Sequence, residues 1–410
     1  GVPGSGKTLV GIRLSYESEF SKLATTRIIP RSNGEFQELK PPNASIFLSG
    51  NGPLVAVLKN ALGRGSNQFI QDVRKYVQYH ESGDKRVPLH HVIIFDEAQR
   101  AWDRDKVERR HKGAVEGSEP DMFIGMANRI PEWGAVVGLI GTGQEIHDGE
   151  ESGLQQWVDA IENIEGIDNW DIHAPPGIIE QIQTRNIQSY SEPLLTLNAT
   201  IRTHFGEMLH HWVDGVLGHV DTPYQDIVEL YKQLKDSGFK IYFTSNLRKA
   251  KMYLWNRYEK SPDARYGMIC SSRDKSLGTY GMKTLSWPKT LNYGRWYNED
   301  RNHSDSCCAL DLAVTEFDSQ GLELDFTIVG WGNDFILEKG EWNNDRARNY
   351  AHTSEIKDAF TLRRNAYRVL LTRARDGMIL YLPTNDLLEE TRQHLIRCGL
   401  EDLNDVDSQQ

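Results

Sequence analysis

The run Gly1-Val2-Pro3-Gly4-Ser5-Gly6-Lys7-Thr8 constrains this chain more than any other, because it satisfies G-x-x-x-x-G-K-[ST] at every fixed position. The spacing has a physical origin. Glycines let successive backbone N–H groups turn inward and form an anion-binding nest that no side chain obstructs. Lys7 is then placed to reach phosphate oxygens, and Thr8 to offer its hydroxyl to Mg²⁺. The pattern that follows, Leu9-Val10-Gly11-Ile12-Arg13-Leu14, predicts a helix whose positive end faces the same anion. A glycine-rich turn without a ligand is the plain alternative, and helical spacing directly after Thr8 weighs against it. The expected phosphate contacts are Gly1, Gly4, Ser5, Gly6, Lys7 and Thr8.

A second half of the site is expected in His91-Val92-Ile93-Ile94-Phe95-Asp96-Glu97-Ala98-Gln99. Its apolar run describes a strand buried on both faces of a parallel sheet. Asp96 and Glu97 fall at the carboxyl end, where α/β sheets bind ligands. Asp96 is the expected Mg²⁺ partner, through water, and Glu97 the expected general base. An apolar strand ending in acids is ordinary by itself; beside the Gly1–Thr8 loop it reads as chemistry. A third strand, Val136–Ile140, leads into Gly141-Thr142-Gly143-Gln144-Glu145. Gln144 there is placed to sense a terminal phosphate, although most exposed glutamines are merely solvated.

The 410 residues show two regions of α/β texture, short apolar strands followed by helical periodicity. Residues 1–235 form the first, with strands expected at Ser45–Leu48, Val92–Phe95 and Val136–Ile140. Residues 236–410 form the second, with strands expected at Lys240–Thr244, Tyr266–Cys270, Leu310–Thr315, Thr327–Gly330 and Met378–Leu382. Ser191–Leu217 reads mostly as linking helix. Lys275–Ser306, rich in Gly, Trp, Tyr and Asn without periodicity, reads as an insertion or long loop. The charge-dense stretch 103–120 reads as a mobile excursion.

A formal net charge of -11, from 58 acidic against 47 basic residues, excludes a broadly basic surface but leaves room for a local basic groove. Cys270, Cys307, Cys308 and Cys398 show neither a CxxC pair nor zinc spacing. Reduced thiols in a cytoplasmic protein are expected, with Cys307 and Cys308 serving packing. No apolar run approaches the roughly 18–20 residues that span a bilayer. The chain opens inside a motif without an initiating Met, so a longer parent is expected, with the strand that feeds the loop upstream of Gly1.

The order of motifs resembles superfamily 1 helicases, and most closely the Schlafen group-3-like DNA/RNA helicase family of bacterial proteins. The resemblance is carried by GVPGSGKT (1–8), FLSGNGPLV (47–55), VIIFDEAQ (92–99), GLIGTGQE (138–145), LNATIRTH (197–204), TEFDSQGLELDFTIVGWG (315–332) and NAYRVLLTRAR (365–375). It implies two RecA-like P-loop NTPase lobes with parallel sheets and ATP in the cleft between them. It implies that Arg202 approaches the γ-phosphate from the linker region and that Arg373 is an arginine finger. Arg375 competes for that role on spacing alone. Gly321 and Glu323 match positions near the γ-phosphate and the ribose, and Ser49, Asn51 and Thr315 fall in motifs that face a nucleic-acid strand. Adenine over guanine rests on the resemblance alone. Arginine suits a finger because its planar fork stays charged and grips two oxygens. Delivered from the opposite lobe, it makes hydrolysis depend on closure.

Two functional readings follow. In the first, ATP and Mg²⁺ drive movement on single-stranded DNA or RNA, with Phe47, Trp102, Trp133, Trp331, Trp287, Trp296 and Tyr297 available either for base stacking or for ordinary packing. In the second, the module is an ATP-driven switch for a fused N-terminal or partner effector, for instance a nuclease, without unwinding. The short accessory segments favour the switch; the strand-facing motifs favour the motor. The family's company associates it with defence against phage or foreign DNA.

Overall fold

The computed structural model describes residues 5–30, 35–111, 117–141, 154–182, 184, 186–197, 206–218, 223–284, 291–348 and 358–406. The chain divides into two compact α/β units, Gly1–Ile201 and Arg202–Gln410.

In the first unit, α1 (Lys7–Tyr16) leaves the glycine loop and an antiparallel hairpin follows, β1 (Arg27–Pro30) with β2 (Phe36–Leu39). Next come β3 (Ser45–Ser49), α2 (Gly52–Leu62), β4 (Ile70–Asp72), α3 (Val73–Glu81) and β5 (Val92–Asp96). The unit continues with α4 (Arg104–His111), α5 (Glu119–Asn128), β6 (Ala135–Leu139), α6 (Gln155–Glu162), β7 (Asp171–Ala174), α7 (Pro176–Ile179) and β8 (Gln188–Ser191). Four strands form a parallel sheet in the order β4-β3-β5-β6. Side chains alternate between its faces. Ile46, Leu48, Ile93 and Phe95 pack with Val73, Tyr76 and Val77 of α3 and with Met122, Phe123 and Met126 of α5. Phe47, Ile94 and Leu139 pack with Val55 of α2 and Ile12 of α1 on the other side. Helix α1 lies unusually close to this face. A Cβ on Gly11 would stand 2.7 Å from Leu139 Cδ1 and 2.8 Å from Phe47 Cε2.

Two expected segments take shape here. The charged stretch 103–120 holds α4 and then a capping box, in which the Ser118 hydroxyl and the Asp121 carboxylate take each other's backbone N–H groups. Ser191–Leu217 is mostly helix in its described part, since an α-helix covers Gly206–Leu217, although its start is not: β8 ends at Ser191 and Pro193–Leu195 form a 3-10 turn. Leu194 is 95% exposed, so the apolar spacing there did not report a buried face.

The second unit begins with α8 (Gly206–Leu217), α9 (Tyr224–Asp236), β9 (Lys240–Thr244), α10 (Leu247–Arg257) and β10 (Tyr266–Cys270). It continues with α11 (Tyr293–Asn298), β11 (Ala313–Thr315), β12 (Leu324–Gly330), the hairpin β13 (Ile336–Glu338) and β14 (Glu341–Asn343), α12 (Ala359–Leu371), β15 (Ala374–Tyr381), α13 (Glu389–Arg397) and β16 (Glu401–Asp402). Its sheet runs β11-β10-β12-β15-β9-β16, parallel throughout. Helix α8 packs in this unit, burying Trp212, Val213 and Val216 and receiving His394 Nε2 on the Val216 carbonyl at 2.9 Å. The contact boundary therefore precedes α8, whereas the texture change in the sequence lies at 235/236. Strand β11 starts later than its apolar run suggests, since Cys307–Ala309 form a 3-10 turn and Leu310 is left-handed, with φ 55°. Within Lys275–Ser306 the chain forms a turn at Leu277–Tyr280 and helix α11. Trp296, like Phe47 and Trp331, is buried, and Trp287 lies outside the described residues.

The close approach at Gly11 generates a prediction. Gly11→Ala should lower the unfolding midpoint of the first unit, at an overpacking cost of about 1–3 kcal/mol, read by thermal denaturation. An unchanged midpoint would show that α1 lifts off the sheet without penalty.

Candidate nucleotide-binding site

Strand register aligns Asp72, Ser49, Asp96 and Leu139 in one row at the carboxyl end of the first sheet. Helix α1 starts over this row at Lys7, with Gly6 as its capping residue in the left-handed region at φ 82°. The Thr8 hydroxyl donates to the Asp96 carboxylate, 3.2 Å from Oδ2 and 3.4 Å from Oδ1. Ser5 is buried, and its Oγ has no hydrogen-bond partner among the described residues. Gly1 and Gly4 lie outside the described residues.

Asp96 is only 3% exposed. Burial pushes its carboxyl up to about 7, and the Glu97 charge pushes the same way against the pull of the Thr8 hydroxyl and the Lys7 ammonium. Glu97 itself sits in the left-handed region at φ 59°, a conformation that costs a non-glycine residue roughly 1–3 kcal/mol. Gln99 contacts its carboxylate. Its Nε2 donates to Glu97 Oε2 at 2.5 Å, while its Oε1 accepts the Gly141 N–H at 3.0 Å. Gln99 thus ties the tip of β5 to the tip of β6. A Cβ on Gly141 would stand 3.2 Å from Lys7 Nζ, so Lys7 reaches the same place.

Lys7, Thr8, Asp96 and Glu97 are therefore brought together, as the spacing predicts. Gln144 lies outside the described residues, and the neighbouring role of Gln99 was missed. Its signal was a polar residue two positions after Glu97, next to an apolar strand and buried. A hydroxyl beside a carboxylate fits Mg²⁺, which takes one or two protein oxygens and completes its shell with water and phosphate. The orphaned Ser5 hydroxyl and the inward turn at Gly6 fit a phosphate beside it.

Ser49 and Asn51 shape the neighbouring strand tip. Ser49 Oγ accepts the Asn51 N–H at 3.2 Å, and Asn51 Oδ1 accepts the Leu54 N–H at 3.1 Å, capping α2. The second unit repeats the device. Thr244 Oγ1 accepts the Asn246 N–H at 3.1 Å, and Asn246 Oδ1 accepts the Lys249 N–H at 3.1 Å. This repeat went unread in the sequence, where S/T-x-N after an apolar strand was its trace.

In the second unit, register aligns Thr315, Cys270, Gly330, Tyr381 and Thr244. Thr315 is buried, and its hydroxyl donates to Asp318 Oδ2 at 2.7 Å. Gly321 is left-handed at φ 75°, and Glu323 follows it half-buried. The two arginines separate. Arg375 pairs with Asp325 and lies 3.9 Å from Glu323 Oε2. Arg373 is buried and donates from Nη1 to the Leu322 carbonyl at 3.3 Å, against the Gly321–Glu323 segment. Arg202 lies outside the described residues.

A family model for the Schlafen group 3, DNA/RNA helicase domain matches residues 1–384. No curated protein matches the chain. Among solved structures, the Hef helicase domain of Pyrococcus furiosus is similar over 96% of this chain and 94% of that one, at 9% identity and a TM-score of 0.30. Dbp5 of S. cerevisiae, in a structure bound to RNA and ADP BeF3, is similar over 90% of this chain and 82% of its own, at 9% identity and a TM-score of 0.29. Scores of that size carry no argument about this chain.

The state of Asp96 has a measurable consequence. Its carboxyl holds a proton more tightly folded than at the ordinary value of 3.8, so it supports the nucleotide-free fold fully only below about pH 4. That support is lost as pH rises through about 7. Asp96→Asn should remove this decline and raise the unfolding midpoint above wild type at about pH 8. Thermal unfolding across pH reads it, and parallel curves for the two proteins would contradict it.

Proposed function

The chain belongs to the Schlafen group 3 DNA/RNA helicase domain family, and we propose that it hydrolyses ATP in a cycle coupled to single-stranded DNA or RNA. The carrying observation is the Thr8–Asp96 contact at the carboxyl end of a parallel sheet, with Lys7 and Glu97 beside it. In this reading the N–H groups of Ser5 and Gly6, with Lys7, bind the β- and γ-phosphates. Thr8 and ionised Asp96 hold Mg²⁺, which offsets phosphate charge when bound. Glu97 takes the proton of the attacking water, and Gln99 keeps its carboxylate oriented. Arg373, and Arg202 by its motif, supply positive charge where the transferred phosphoryl becomes more negative. Gly321 and Glu323 lie along the nucleotide, and Gln144 responds to its terminal phosphate. Ser49, Asn51 and Thr315 shape the strand-facing surface, and the matching turn at Thr244–Asn246 extends it.

ATP turnover with and without single-stranded DNA or RNA tests the coupling. Stimulation that weakens as salt rises is expected; turnover indifferent to every nucleic acid would sink the reading. Glu97→Gln should bind ATP yet lose about 10²–10⁴ in hydrolysis, and near-normal turnover would remove Glu97 from its role as base. Arg373→Ala should lose about 10³ or more in turnover, whereas Arg375→Ala should lose far less. A loss confined to ATP affinity would assign Arg373 to binding instead.

A further inference from the structure

The loop between β11 and β12 carries Thr315 at one end and Gly321 with Glu323 at the other, and helix α11 touches it at both. Tyr293 donates its hydroxyl to Asp318 Oδ1 at 2.7 Å. The other oxygen of that carboxylate accepts both the Thr315 hydroxyl, at 2.7 Å, and the Thr315 N–H, at 3.1 Å. One helical turn later, Tyr297 donates its hydroxyl to the Glu323 carbonyl at 2.6 Å. Positions four apart share a helix face and stand about 6 Å apart along the axis. The two phenols therefore grip the loop with a fixed spacing between them.

Helix α11 is itself held firmly. Asn292 Oδ1 caps it by accepting the Arg295 N–H at 3.1 Å. Trp296 is buried against β10, where a Cβ on Gly267 would meet its Cζ2 at 3.4 Å. Ser306 Oγ closes the far side by donating to the Glu299 carbonyl at 2.8 Å. Both phenols are donors at any working pH. Burial and then the Asp318 carboxylate push Tyr293 far above its ordinary value. Burial above all pushes Tyr297 up to about 12.

We propose that Tyr293 and Tyr297 are positioning residues, and that α11 is a rigid bar setting the strand-facing end of this loop relative to its nucleotide-facing end. The proposal rests on the assignment of Thr315 to the strand and of Gly321–Glu323 to the nucleotide. On it, the segment 291–299 is a working part of the coupling path, not an insertion that the fold merely tolerates.

Tyr293→Phe and Tyr297→Phe each remove one hydroxyl and keep the ring. ATP turnover is measured in both variants against ATP, at saturating oligo(dT) or oligo(rU), and then against the oligonucleotide. Tyr293→Phe should raise the oligonucleotide concentration for half-maximal stimulation about 3–10-fold, with a much smaller change in KM for ATP. Tyr297→Phe should show the reverse split, a KM for ATP raised about 3–10-fold. Hydrogen exchange of the amides in 315–323 should speed up in both variants. Equal changes in both constants, or a lower unfolding midpoint with kinetics unchanged, would overturn the proposal. Wild-type turnover indifferent to both oligonucleotides would overturn the functional reading beneath it and the proposal together.

Discussion

A hydroxyl facing a buried carboxylate organises the first unit. Thr8 comes from the first turn of α1 and Asp96 from the last residue of β5, so their contact pins a helix start to a strand end. Everything around it serves that placement. The glycine at position 11 lets the helix lie directly on Phe47 and Leu139, and the alternating faces of β3 and β5 give it a rigid floor. The same contact sets the electrostatics. Asp96 is held where water is scarce, so its charge is costly until a cation or a cationic side chain offsets it.

The second unit meets the same problem with more groups. Arg363, almost fully buried, pairs with Glu316 at 2.7 Å and Asp334 at 3.2 Å. Tyr367 and Ser271 complete Asp334, while the Ser272 N–H and hydroxyl complete Glu316. Burial still lifts the Asp334 carboxyl to about 6 even beside Arg363. A buried ionic group is weak support for stability in general. Its value here is geometric, because the shared bonds tie the tips of β10 and β11 to α12.

Much of this was legible because its signals are local. The Gly1–Thr8 pattern and the run Val92–Phe95 announce an anion loop and a doubly buried strand without any long-range information. Strand positions at Lys240–Thr244 and Tyr266–Cys270 match the structure for the same reason. What stayed hidden depends on contacts between distant residues. Gln99 acquires meaning only because Gly141 comes within hydrogen-bond reach of it, across 42 residues of chain. Tyr293 and Tyr297 sit in a stretch with no periodicity, and only folding brings them onto Asp318 and Glu323. The exposed Leu194 misled in the opposite direction, since helical spacing does not distinguish a buried stripe from a solvated one.

The backbone at Glu97 shows a conflict between two demands on one residue. Its left-handed turn is a shape that glycine adopts freely and that glutamate resists. A chain selected for durability alone would place glycine there, gain a more relaxed turn and lose its carboxylate. Keeping glutamate accepts a permanent local loss of stability, and the base proposed for hydrolysis is what that loss would retain. On that proposed role, stabilising this protein by relieving its strained positions would disarm it at the first residue corrected.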